Sequence, residues 1–190
     1  MTLKRIVILA SGDGSLAQAI IDSSGIIGAK VIAVVTDNPS AFVLERAAKA
    51  DIPTQIVEMK ADRKAWDTDL IALLRMLGAD LIVSAGFMRI LSPECVAEFK
   101  IVNSHPALLP LYPGAHAVRD ALAGGATQTG TTIHWVDSGV DTGQIIAQES
   151  VEITPSDTED SLHERIKIVE RRLYVETIKN LLPTLESADV

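Results

Sequence analysis

An α/β fold, a doubly wound and mostly parallel sheet of Rossmann type with an antiparallel hairpin at one edge, is what this chain of 190 residues predicts. Three observations predict it. Short apolar runs rich in β-branched residues alternate with stretches of helical composition. The runs are continuously apolar, as strands are when helices cover both faces of a sheet. After Gly125 the alternation gives way to two strand-like runs joined by a short turn.

Taken in order, KRIVILA (residues 4–10) is the first strand, and SGDGS supplies the turn into a helix that starts near Ser15. KVIAVVT, Lys30 to Thr36, is the second strand, and the helical stretch after it has Ser40 as its N-cap candidate. TQIVEM follows as a third strand. A helix after Asp62 then sets Trp66, Leu70, Leu73, Leu74 and Leu77 on one face and ends at Gly78. ADLIVSAGF is the fourth strand, and IVNSH, from Ile101, closes a further one. TGTTIHWV and GQIIAQESV, joined by DSGVDT, form the edge hairpin. The last helix opens on a capping box of Ser156 with Glu159, buries Leu162, Ile166, Val169 and Leu173, and stops at Pro183, leaving the closing ESADV to fray.

Composition narrows the function. The length suits one domain over residues 1–190, and with 47% apolar residues the chain can build a sizeable core. A formal net charge of -8 and the lack of a basic run argue against nucleic acid as a partner. A single cysteine, Cys95, cannot form an internal disulfide, and it reads as a buried thiol with no acid or base beside it. Neither a signal peptide nor a long apolar span is visible, so the expectation is a cytoplasmic protein, without a membrane partner, acting on small molecules as a monomer or homodimer.

Three constellations could carry chemistry. Gly12-Asp13-Gly14-Ser15 sits where backbone N–H groups open a helix and favour a phosphate, although a bare strand-to-helix turn has the same residues. With Ala17, and with Asp37 at the end of the second strand, the segment also fits a dinucleotide-binding oxidoreductase. No Lys-Ser or Lys-Thr pair follows the glycines, which excludes a nucleoside-triphosphate loop. In the second constellation, Asn103 and His105 lie two apart in an extended segment and so project to the same side. Pro106 and Pro110 bar a helix from following them. An amide and an imidazole so placed can bind a carbonyl oxygen and move a proton; a cap and a core histidine are the plain alternative. The third is Asp141 in the hairpin turn, which gains meaning only beside His105. His116 could line the same cleft, whereas His134 reads as structural and His163 as a helix-surface residue. No His, Cys or carboxylate spacing suggests a metal site.

In order and spacing, SGDGS, SAGFMRIL, NSHPALLP, YPGAH and VDSGVDTGQII resemble the glycinamide ribonucleotide formyltransferases of purine biosynthesis, over nearly the whole chain. The resemblance implies transfer of a formyl group from 10-formyltetrahydrofolate, as co-substrate, to the amine of phosphoribosylglycinamide, with no metal. It implies catalytic roles for Asn103, His105 and Asp141. Gly14, Ser15 and Leu16 would hold the phosphate and Glu170 the rest of the nucleotide substrate. Arg63, Met88, Arg89, Ile90 and Leu91, with Asn103, would bind the folate, Arg63 meeting its glutamate carboxylate. Two positions depart from the family's pattern: Leu16 stands where many members have Asn, and Ala107 where many have Ser. A methionyl-tRNA formyltransferase would carry a further domain, and a hydrolase of the same folate a regulatory one, so both are rivals that length disfavours.

Overall fold

The computed structural model describes residues 3–185; the closing ESADV lies outside them. The chain runs β1 (Lys4–Leu9), α1 (Ser15–Asp22), α2 (Ser24–Ile27), β2 (Ala29–Thr36), α3 (Val43–Lys49), β3 (Thr54–Ile56), α4 (Arg63–Leu77), β4 (Leu81–Ser84), α5 (Pro93–Glu98) and β5 (Ile101–His105). It continues through α6 (Ala117–Ala123), β6 (Gln128–Trp135), β7 (Ile145–Glu152) and α7 (Glu159–Leu181), ending in a short 3-10 turn, Leu182–Thr184. The strands form one sheet in the order β3-β2-β1-β4-β5-β6-β7. β1 to β5 pair in parallel, while β6 and β7 pair antiparallel at the edge. The chain leaves β1 toward β2 and returns on its other side as β4, which leads on to β5, so the connections from the carboxyl ends of β1 and β4 run in opposite directions, and that is where such sheets open a crevice.

Alternation along β1 shows how the two layers are built. Ile6 and Ile8 join a core with α1, α3 and α7, while Val7 and Leu9 join another with α4 and α5. Every one of these four is fully buried, each contributing about 1.5–3 kcal/mol relative to exposure. In α4 the buried face is Trp66, Leu70, Ile71 and Leu74; Leu73 and Leu77 flank it only partly buried. Asp62 caps this helix by accepting from the N–H groups of Lys64 and Ala65, and Gly78 ends it in the left-handed conformation.

Several local expectations need correcting. The cap of α7 is Thr158 with Ser161, each side chain bonding the other's backbone, not Ser156 with Glu159. Asp157 explains the shift. It accepts from the N–H and hydroxyl of Thr154 and from Ser161, and pairs with Arg165, so residues 154–157 form their own turn before the helix begins. Ser40 caps nothing: its N–H is held by Asn38, and α3 starts later, behind Phe42, with no side-chain cap. Val169 is partly buried beside the stripe of Leu162, Ile166 and Leu173. The connection between β6 and β7 is longer than a tight turn, because β6 ends at Trp135 and β7 begins at Ile145.

Cys95 is buried, and burial pushes its thiol up to about 12, which leaves it no thiolate character near neutrality. Among the described residues no helix is long and apolar enough to cross a membrane.

In β6, Thr129 is 1% exposed and its hydroxyl has no hydrogen-bond partner among the described residues. Thr129→Val, nearly the same shape without the hydroxyl, should therefore raise stability by about 1 kcal/mol. The measurement is the urea midpoint at unchanged slope; a fall in the midpoint would mean that the hydroxyl does have a partner.

Candidate active site

The register of β5 on its neighbours places the second constellation. Asn103 and His105 point to the α4–α5 side of the sheet. Ser104, between them, points to the α7 side and donates to Glu170 Oε1 at 2.5 Å. Because β6 is antiparallel, Asn103 lies directly opposite His134 and His105 opposite Thr132. The proline-rich segment after His105 is fixed to β6: Thr132 Oγ1 donates to the Ala107 carbonyl at 2.6 Å and accepts from Leu109 N–H at 3.1 Å. Gln148 on β7 donates to both the Leu109 carbonyl and Thr132 Oγ1 at 2.8 Å. Pro106 and Pro110 thus stand in a run of bends and turns rather than an extended chain, and the hairpin holds it down.

The loop between β6 and β7 folds back over the same face and brings a carboxylate with it. Asp141 Oδ2 is 3.3 Å from His105 Nδ1 and accepts from Gly114 N–H at 2.8 Å, while Oδ1 is 3.6 Å from His134 Nε2. The loop braces itself: Asp137 accepts from Gly139 N–H and from the Thr142 hydroxyl. Asp141 has φ 55, in the left-handed region that Asp tolerates better than most residues. Burial works against its charge. The neighbouring His134, the Gly114 N–H and the His105 imidazole outweigh that, holding its carboxyl below the usual carboxylate range.

His105 is 4% exposed, and its other nitrogen, Nε2, lies 2.8 Å from the Tyr112 carbonyl. A carbonyl only accepts, so Nε2 carries the hydrogen there. With an acceptor at each nitrogen, the ring can donate at both when protonated. The Nδ1 contact, 3.3 Å against 2.8 Å, is the looser one and the one free to turn toward a new acceptor. His134, expected from the sequence to be structural, stands against the cluster. Its Nδ1 donates to the Trp135 carbonyl at 2.8 Å, so in the neutral ring Nε2 accepts from Asn103 Nδ2 at 3.3 Å and fixes which way the amide points. Antiparallel pairing of β5 with β6 is the clue that would have found it.

The glycine turn stands at the end of β1. Gly14, φ 75, is the N-cap of α1, and no side chain caps that helix, so the N–H groups of its first turn remain directed at the crevice. Val43 of α3 packs against Gly14, and Leu16 is buried, 8% exposed, in the α1 core. Glu170, across from this turn on α7, has its carboxyl raised by burial, an effect that Ser104, Arg171 and Lys167 only partly offset.

The expected folate residues divide. Met88 and Ile90 are 70% and 61% exposed, bare apolar surface beside the Asn103 cluster. Leu91 is not part of that surface, since its side chain is in the core with Trp66 and Cys95 at 7% exposure. Arg89 Nε donates to Asp37 at 2.6 Å, which ties the guanidinium to the end of β2 while the side chain stays 40% exposed. Arg63 reaches the Ile90 carbonyl, pairs with Asp67 at 2.9 Å and lies 4.9 Å over the Trp66 ring, a cation partly available at the rim. His116 is exposed at the N-cap of α6. Asp37 is itself 5% exposed and bonded by Ser11 as well as Arg89, which removes the free ribose acceptor that a dinucleotide site needs.

The arrangement pairs an acid–base cluster with an apolar rim on one side and an anion-favouring helix start on the other. A formyl transferase family model matches residues 4–178. Phosphoribosylglycinamide formyltransferase of Mycobacterium tuberculosis is 46% identical over 182 residues, which cover 93% of this chain and 84% of that one. The Escherichia coli protein of the same name is 42% identical over 175 residues, covering 90% and 82%. The crystal structure of glycinamide ribonucleotide transformylase 1 from Symbiobacterium toebii superposes with a TM-score of 0.93 at 35% identity, over 98% of this chain and 95% of that one. The geometry and these likenesses lead to one assignment: the chain belongs to the formyl transferase family and, within it, to the phosphoribosylglycinamide formyltransferases.

Proposed function

We propose that this enzyme passes the formyl group of 10-formyltetrahydrofolate to the primary amine of 5-phosphoribosylglycinamide, a step of purine biosynthesis, with no covalent enzyme intermediate. The observation that carries the reading is the Asp141 carboxylate held 3.3 Å from His105 Nδ1, on the face where Asn103 projects. As the amine attacks the formyl carbon, its carbonyl oxygen becomes an oxyanion. Asn103 Nδ2–H and the loosely held His105 Nδ1–H donate to that oxyanion. Collapse of the tetrahedral species breaks the bond from carbon to the folate nitrogen. That nitrogen takes up a proton, and the amine gives one up. Asp141 orients the His105 ring that moves the proton, and His134 keeps the Asn103 amide turned to donate.

The phosphate is received by the backbone N–H groups from Gly14 to Leu16. Leu16 has no side-chain amide to add, so the helix start supplies the contact. Glu170 meets the sugar or the glycinamide as a hydrogen-bonding group. Its raised carboxyl suits a role in which charge is not required. The pteridine and its linker lie on Met88, Ile90 and the backbone of Arg89, and Arg63 exchanges its Asp67 contact for a glutamate carboxylate. Purified protein given both substrates should release tetrahydrofolate only when the amine substrate is present. Release without the amine makes it a hydrolase, and no release by folded protein rejects the reading.

A further inference from the structure

Asp37 is a motif residue that this chemistry leaves unused, and its surroundings are more elaborate than a bare core carboxylate would need. It follows directly on β2 at 5% exposure, and both oxygens are bonded: Oδ1 by the Ser11 hydroxyl at 2.5 Å and Oδ2 by Arg89 Nε at 2.6 Å. Because the Ser11 hydrogen is spent on the carboxylate, its lone pairs are free, and one accepts Met88 N–H at 2.8 Å. Ser11 N–H in turn donates to the Gly86 carbonyl at 3.1 Å, and its carbonyl accepts from Asn38 at 3.3 Å. A chain of carboxylate, hydroxyl and amide therefore ties three strand ends together, with members that polarise one another.

This chain answers a physical difficulty. Met88 and Ile90 are large, apolar and mostly exposed, so burial cannot hold them where they stand. Phe87 and Leu91 tie the segment into the α4–α5 core, and between them its backbone is anchored at Met88 N–H by Ser11 and at the Ile90 carbonyl by Arg63. Ser11 also begins the turn that runs into Gly12 and Gly14. One hydroxyl thus stands between the segment facing one substrate and the turn facing the other.

We infer that Asp37 and Ser11 are a positioning pair that sets the backbone of residues 86–91 in the shape that receives the formyl donor. The inference rests on the reading of that segment as the folate wall. Ser11→Ala removes the acceptor for Met88 N–H, and Asp37→Asn keeps the size but weakens both bonds. Each should raise the KM for 10-formyltetrahydrofolate, and the calorimetric Kd for tetrahydrofolate measured without the amine substrate, by about three- to tenfold. The loss should fall on KM rather than kcat. The double variant should lose little more than either single one, because the members act as a unit. Met88→Ala is the control on the underlying reading. If Met88→Ala weakens tetrahydrofolate binding while Ser11→Ala and Asp37→Asn shift only the melting temperature, the positioning pair is overturned and the folate wall stands. If Met88→Ala also binds tetrahydrofolate as the wild type does, the wall reading fails and takes the pair with it.

Discussion

His105→Ala should lower kcat by about a hundred- to ten-thousandfold, the range spanned by loss of a proton-transfer group together with an oxyanion donor. Asp141→Asn should lower it by a comparable amount. It keeps the shape and the left-handed backbone, φ 55, but removes the charge that orients His105. The two are members of one unit, so the double variant should fall no further than His105→Ala alone. Additive losses would mean that the residues act separately. Turnover near the wild-type level in both single variants would remove the proposed roles altogether. Stability must be read alongside, because His105→Ala opens a cavity at a 4% exposed site and leaves the Tyr112 carbonyl without its donor. His105→Gln retains a donor of similar reach and separates the two effects, since it should recover folding without recovering rate. The sign of the pH effect follows from Asp141. Its carboxyl lies below the usual range, so the stabilisation from its ionised form is fully present above the unfolded-state value and is lost as the pH falls through the lower, folded value. Asp141→Asn should flatten that acid limb in the wild-type unfolding profile.

Gly14→Ala is the other severe change. A β-carbon on Gly14 would stand 2.4 Å from Val43 Cγ2 and 3.0 Å from the Val43 Cα, and the residue already sits at φ 75. Backbone strain of about 1–3 kcal/mol adds to the steric conflict. The turn can relieve both only by moving off α3, which takes the first-turn N–H groups away from the phosphate. The KM for phosphoribosylglycinamide should rise by about ten- to a hundredfold, the worth of one or two lost hydrogen bonds to a charged group. The KM for the folate should change much less. Gly12→Ala is the matched comparison, because nothing lies within 4 Å of its added carbon, and it should be close to silent. Equal effects from the two alanines would show that the Val43 contact does not govern the turn.

The alternation of continuous strands with amphipathic helices made the sheet legible, because covering both faces forces that pattern at every strand. α5 and α6 left no such mark, since six and seven residues fill less than two turns, too few for the helical period to emerge. Cap positions differ at α3 and α7 for another reason: Ser40 and Ser156 have suitable side chains, but competing local bonds by Asn38 and Asp157 decided where each helix could begin. At the site, the shared direction of Asn103 and His105 follows from two-residue spacing alone. His134 needed the β5–β6 register, which is a long-range property. Leu91 and Arg89 fell within a segment matched as a block, and only packing reveals that one side chain is interior and the other is held by Asp37.

The left-handed backbone at Asp141 has a meaning for how this site can vary. A catalytic residue on an ordinary strand can drift through many side chains, each tested by chemistry alone. Here the chain conformation screens first, admitting Gly, Asn and Asp readily and resisting branched and aromatic residues. Chemistry then selects among three, and only one of them carries a charge. The carboxylate is the single residue common to both requirements, so this position has almost no neutral neighbours in sequence space, and an ancestor that lost the acid would have had to rebuild the loop to replace it.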